Sequence, residues 1–317
     1  MSLPRPELDP ELKAGLAGFP LTTGLDAELL AQFRQYVVPA EAYLADRPVE
    51  RHDLTVASAD GAELPISVIR PTADAAGAPC VYWVHGGGMV MGDRFANLDI
   101  PLEWLDRFGA VVVTIDYRLA PEVSGSTLVE DCYRGLLWLA GHADELGIDP
   151  TRIIVAGASA GGGLVAGMTL MARDRGGPAI AAQILICPML DHRNVTASSH
   201  QYAGEPGVWT REKNIFGWAA VLGEQPGSEV SSYISPALEQ NLADLPTTYI
   251  DAGTAEVFRD EDVDYASRIW AAGGQAELHL WAGGFHGFDA MFPDAAISSA
   301  ARRARTAWLE RVLGPSA

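Results

Sequence analysis

From about residue 80 onward, short apolar runs alternate with stretches of helical periodicity. The runs are Cys80–His85, Ala110–Asp116, Arg152–Ala156, Ala181–Cys187, Thr247–Asp251 and Glu277–Trp281. They are rich in Val and Ile and apolar at consecutive positions, the pattern of strands buried on both faces of a parallel sheet. Between them the spacing predicts helices over Leu98–Phe108, Thr127–Leu146, Ala160–Arg173, Phe258–Ala272 and Ala295–Leu313. Gly273-Gly274 supplies a stop for the fourth. Strand–helix alternation of this kind predicts a doubly wound α/β sheet. Residues 53–70 read as two antiparallel strands at one edge.

Two stretches break the rhythm. One is residues 1–50. The other is residues 190–235, which holds Tyr202, Trp209, Phe216, Trp218 and Tyr233. The second is too long for a plain connection and is expected to form a lid or cap. Its aromatics either pack that cap onto the body or line an acyl pocket.

The 317 residues suffice for one large α/β domain with a cover, or for two ordinary domains. With 48% hydrophobic residues and a mean hydropathy of +0.08, a substantial core can form. The formal net charge of −19 argues against a nucleic-acid partner, which needs clustered Lys and Arg. The lysines are Lys13 and Lys213 alone, and the arginines are dispersed. Such acidity gives a well-solvated surface, and salt adaptation is the sharper alternative. Cys80, Cys132 and Cys187 are odd in number and sit in apolar contexts. They read as buried free thiols rather than a disulfide framework or metal site. The first twenty residues lack the pattern of a signal peptide, and no apolar stretch reaches bilayer length. A cytoplasmic protein is expected.

The strongest chemical signal is Gly157-Ala158-Ser159-Ala160-Gly161, which fits G-x-S-x-G between a strand and a helix pattern. A sharp strand-to-helix turn would strain Ser159 and project its hydroxyl from the sheet. Side chains at 157 and 161 would strike neighbouring backbone, so both are glycine. The Ala160 amide would point from the helix N-terminus toward a developing oxyanion. The same glycines also satisfy a G-x-x-x-G-x-G dinucleotide loop. Short-chain dehydrogenases, which carry such a loop, normally place it at the first strand and pair it with a Tyr-x-x-x-Lys dyad; this chain has no such dyad, and its loop lies mid-chain.

His85-Gly86-Gly87-Gly88 follows directly on an apolar strand, where side-chain-free backbone can present amides beside Ala160. His85 is expected to brace that loop. The base should come late in the chain. His286, in Gly283-Gly284-Phe285-His286-Gly287-Phe288, lies just past the last strand pattern; His279 lies within it. The acid that orients the imidazole should follow the strand Thr247–Asp251, with Asp251, Glu256, Asp260 and Asp262 in range. Glu256 falls in the loop, whereas Asp260 and Asp262 fall in the helix start.

These motifs, with Asp116-Tyr117-Arg118-Leu119-Ala120-Pro121-Glu122 and Ser235-Pro236, make the sequence resemble the bacterial hormone-sensitive-lipase family of carboxylesterases over residues 50–313. The resemblance implies an α/β-hydrolase fold: a mostly parallel central sheet, helices on both faces and a helical cap. It divides the chain into an N-terminal cap segment (1–50), a catalytic body (51–189 and 236–317) and a cap insertion (190–235). In the family, two residues separate the acid from Arg-Asp-Glu, a position held here by Glu256 before Val257-Phe258-Arg259-Asp260-Glu261. By the same carry-over the triad is Ser159, Glu256 and His286. Gly87, Gly88 and Ala160 supply the oxyanion amides, and His85 and Gly86 support their loop. The chain departs from the family in Ala158, where Asp or Thr is usual, and in Met89, where an aromatic often follows the glycines. The expected activity is hydrolysis of short- to medium-chain acyl esters without metal or organic cofactor. Lactones or acetylated small molecules are alternative substrates. Family members often form homodimers, and a homodimer is expected here. A rival of another class is a receptor-like relative that binds a ligand without chemistry; such relatives have lost the histidine, which this chain keeps.

Overall fold

The computed structural model describes residues 3–73, 76–223 and 229–314. Eight strands form one sheet: β1 (Val49–Ala57), β2 (Glu63–Pro71), β3 (Ala78–Val84), β4 (Val111–Ile115), β5 (Ile148–Ala158), β6 (Ala182–Ile186), β7 (Thr247–Gly253) and β8 (Ala276–Trp281). Their spatial order is β1-β2-β4-β3-β5-β6-β7-β8. β1 and β2 are antiparallel to their neighbours, and β4 through β8 run parallel.

All the strands read from the sequence are present. β5 begins at Ile148 rather than Arg152, because Ile148 pairs with Ala78 across an irregularity that the polar Asp149-Pro150-Thr151 stretch conceals in the pattern. β1 likewise starts at Val49.

The helices are α1 (Pro10–Leu16), α2 (Ala27–Phe33), α3 (Glu41–Leu44), α4 (Asp99–Phe108), α5 (Thr127–Gly141), α6 (Ala160–Arg175), α7 (Ala197–Gln201), α8 (Arg211–Leu222), α9 (Arg259–Ala271), α10 (Phe288–Met291) and α11 (Ala296–Leu313). α5 stops five residues before the predicted end, and turns occupy 142–146.

The strands are apolar at consecutive positions because helices cover both faces. Along β3, Cys80, Tyr82 and Val84 enter the core beneath α5, α6 and α9. Val81 and Trp83 enter the core beneath α4 and α11, against Trp104 and Trp308. Burying a side chain of this size stabilises by about 1.5–3 kcal/mol, so neither face can turn polar cheaply.

The segment before β1 does not trail free. α1 is capped by the Asp9 carboxylate, and Leu12 packs with Phe285 and Phe288. The Asp9 amide donates to the Gly283 carbonyl. Farther on, Thr22 bridges to Gly207, and the Thr210 hydroxyl donates to the Thr23 carbonyl. The N-terminal segment therefore touches both the loop that carries His286 and the 190–235 insertion, which contains α7 and α8. Among the described residues no helix is long and apolar enough to cross a membrane.

A buried charge cluster ties the far end of the sheet together. Arg305, 1% exposed on α11, donates to Asp251 of β7 at 2.8 Å and to Asp289 of α10. Trp281 of β8 donates to the same Asp251 oxygen at 3.1 Å. Burial pushes both carboxyls up, and Arg305 opposes it. The balance leaves Asp251 above its ordinary value and Asp289 below. Removing the cation strands two buried acids. Arg305→Met should cost roughly 3–5 kcal/mol in urea unfolding. A loss under about 1 kcal/mol would show that the cluster is not holding these elements.

Candidate active site

Four connections meet beyond the carboxyl ends of the parallel strands, where open α/β sheets place their ligands. They follow β3, β5, β7 and β8, and each brings one of the residues singled out in the sequence.

The turn from β5 into α6 carries Ser159. Its backbone sits at φ 57°, ψ −122°, a strained conformation for a residue with a side chain, costing about 1–3 kcal/mol. The Ser159 amide donates to Ile186 O at 2.7 Å, and Ser159 O accepts from Met189 at 3.0 Å. These bonds hold the turn against the end of β6. A Cβ at Gly157 would press on the Gly161 carbonyl, and one at Gly161 on the carbonyls of Val84 and His85. Both glycines serve close backbone approach, as the motif requires.

His286 stands in the loop after β8 and bridges two partners. Its Nε2 lies 2.9 Å from Ser159 Oγ, and its Nδ1 lies 2.6 Å from Glu256 Oε2. Glu256 is 1% exposed in the loop between β7 and α9. The other three acids are engaged elsewhere or sit apart. Asp251 pairs with Arg305. Asp260 accepts from the Ser198 amide at 2.7 Å and pairs with Arg259. Asp262 is fully buried in α9 without a protein hydrogen-bond partner among the described residues, and burial holds its carboxyl well above the usual range. His279 lies in β8 against Glu277.

The loop after β3 passes beside this turn. Among the described residues, no acceptor takes the amides of Gly87, Gly88 or Ala160. Gly87 and Gly88 have φ of 110° and 62°, in the region that favours glycine. His85 is 1% exposed and points into this loop: Nδ1 lies 2.7 Å from Gly86 O, and the ring stacks on Tyr117 at 4.3 Å. The Tyr117 hydroxyl donates to His85 O at 3.0 Å. Burial pulls the His85 imidazole below its ordinary value, so it braces as a neutral ring.

A cavity of about 420 Å³ opens over Ser159 and His286. Its floor includes Gly86–Gly88 and Ala158, and its walls are largely apolar. Of the five insertion aromatics, Trp209 lines it. The others do different work: Tyr233 donates to Asp174, Tyr202 stacks under Arg5, Trp218 packs near His192, and Phe216 is half-buried against the core. Sequence reasoning assigned residues 1–50 to a cap but named none of Phe19, Leu21, Leu25 and Phe33, which form one wall of this cavity. Their apolar character was visible, but the path that carries them over the site was not. Cys187, buried with φ 38°, also lines the cavity, near Glu256 and His286. Burial pushes its thiol well up, so it stays protonated.

Comparison with known proteins bears on the fold and the family. Residues 81–290 match a family model described as alpha/beta hydrolase fold. Esterase LipI of Mycobacterium tuberculosis is 36% identical over 207 residues, 65% of this chain and 64% of that protein, just under two-thirds of its length. Carboxylesterase NlhH of the same species is 32% identical over 283 residues, 86% of each. Among solved structures, a bacterial heroin esterase superposes with a TM-score of 0.90 at 36% identity, covering 97% of this chain and 98% of that one. Esterase LipW from Mycobacterium marinum gives 0.87 at 32%, covering 98% and 99%.

The backbone crossing at Gly161 can be tested against a neutral control. Gly141 ends α5 with open space where a methyl would stand, so Gly141→Ala should be neutral or gain up to about 1 kcal/mol. Gly161→Ala should instead lower stability by more than about 2 kcal/mol or prevent folding. Equal melting temperatures for the two variants would contradict a tight crossing.

Proposed function

The chain belongs to the hormone-sensitive-lipase-like family of α/β-hydrolases and is a carboxylic ester hydrolase; from that premise we propose that Ser159, His286 and Glu256 form its catalytic triad. The observation that carries the reading is His286, hydrogen-bonded at once to Ser159 Oγ and to buried Glu256.

In this reading Ser159 Oγ attacks the ester carbonyl as its proton passes to His286 Nε2. The negative charge that develops on the carbonyl oxygen meets the free amides of Gly87, Gly88 and Ala160, with Ala160 at the positive end of α6. His286 then gives its proton to the departing alcohol, leaving Ser159 acylated. Water, deprotonated by the same ring, attacks the acyl-enzyme and releases the acid. Glu256 fixes the ring tautomer and stabilises the imidazolium at both stages. The scheme uses no metal or organic cofactor.

The cavity's volume and apolar walls suit short- to medium-chain acyl groups. We read residues 1–50 and 190–235 as a composite cap over a catalytic body of 51–189 and 236–317; the joint between Thr22 and Gly207 supports this. Three buried free thiols favour a reducing, cytoplasmic setting.

Hydrolysis of 4-nitrophenyl butyrate should fall at least about a thousandfold in Ser159→Ala. A folded wild type without turnover on short acyl esters would remove the generic esterase reading. The acid is tested separately. Glu256→Ala should cost far more kcat than Asp260→Ala, and the reverse ranking would move the acid to the start of α9.

A further inference from the structure

Lys213 breaks three local rules at once. It is the third residue of α8, whose N-cap is Thr210, with the Thr210 hydroxyl accepting from the Lys213 amide at 3.2 Å. A capping box places Glu or Gln at this position, and the positive end of the helix dipole disfavours a cation there. The residue is 5% exposed, so its ammonium is largely taken from water. Among the described residues no carboxylate pairs with it. Buried charges are ordinarily paired. Local rules are broken mainly where function requires it.

The ammonium is anchored by two carbonyls, Gly207 O at 2.8 Å and Val208 O at 3.1 Å. Lysine carries three N–H donors, so one is left without a protein acceptor among the described residues. Lys213 lines the cavity over Ser159, as do Val208 and Trp209 beside it. Of the other titratable groups of that cavity, the Cys187 thiol is kept protonated by burial, and the rest have partners of their own. Asp289 pairs with Arg305, and His286 spans Glu256 and Ser159. On its own helix, Arg211 donates to Asn194 O and Glu212 accepts from the Gly204 amide. Nor is this an incidental choice of basic residue: of 22 Lys and Arg in the chain, two are Lys.

Resting on the esterase reading above, we propose that Lys213 is a specificity-determining residue that receives an anionic group of the substrate, so that the preferred esters carry a carboxylate away from the scissile bond. The rest of the cavity wall is largely apolar, so a single compact cation would fix the substrate's orientation as well as select it. Burial lowers the Lys213 amine to about 8. The site is therefore charged at pH 7 and loses its charge as pH rises through that value.

Two matched ester pairs test this: mono-4-nitrophenyl adipate against 4-nitrophenyl hexanoate, with the anion on the acyl side, and 4-carboxyphenyl hexanoate against phenyl hexanoate, with it on the leaving group. In at least one pair, Lys213→Met should lower kcat/KM for the anionic ester about tenfold or more while changing the neutral one far less. Lys213→Arg should restore part of the difference. A second readout needs no variant. In wild type the anionic-to-neutral ratio of kcat/KM should fall between pH 7 and 9, and the ratio cancels any titration of the triad. Equal losses on both members of each pair, or a flat ratio, would overturn the proposal and leave Lys213 as a brace for the 207–208 loop. Absence of turnover on all four esters would instead defeat the esterase reading itself.

Discussion

Everything catalytic in this molecule depends on two strand ends coming closer than side chains allow. The turn at Ser159 leans on the exit of β3, with Gly157 and Gly161 facing the carbonyls of Val84 and His85. That contact does two things. It forces Ser159 into its strained conformation, and it lays the glycine loop beside the Ala160 amide. The strain is held by the hydrogen bonds at Ser159 N and O and by the buried apolar run Ile153–Ala158 of β5 that leads into the turn. A domain with a net stability of some 5–15 kcal/mol can hold about 1–3 kcal/mol of local strain only if the surrounding sheet is well packed. The burial of β3 through β7 on both faces provides that packing.

The sheet and the meeting of Ser159 with His286 were legible because both write short-range signals. Consecutive Val and Ile mark strands covered on two sides, and glycines around Ser159 mark a turn that nothing else fits. Glu256 was harder. Four acids lay within reach, and only the placement of the loop relative to α9 and the family's spacing separated them. The structure adds the physical reason: Asp251 is committed to Arg305 and Asp260 to Ser198 and Arg259, while Glu256 alone meets His286. What stayed hidden was long-range. Phe19, Leu21 and Leu25 look like ordinary apolar residues, and nothing local says that Thr22 will meet Gly207 almost two hundred residues later.

That hidden joint decides the shape of the cavity. The N-terminal segment is fastened at one end by α1 on the His286 loop, and at the other by Arg34, which donates to Val90 O and Ala120 O at 2.7 and 2.9 Å. Between these anchors it spans the opening over Ser159. The insertion closes the opposite side through Val208, Trp209 and Lys213. Two segments distant in sequence therefore share one pocket, and a change in either alters the space offered to the same substrate.

Two buried cations make the contrast that gives Lys213 its meaning. Arg305 is enclosed with two carboxylates, and its charge is answered within the fold, so it serves to bind β7, α10 and α11 together. Lys213 is enclosed with carbonyl dipoles and an open cavity. A guanidinium in its place would stay charged at every accessible pH, whereas an ammonium can titrate and turns on a flexible stem. Desolvation that no carboxylate repays in the free protein can be repaid when an anion enters, so the same burial that lowers its basicity would strengthen the contact it makes with a bound carboxylate.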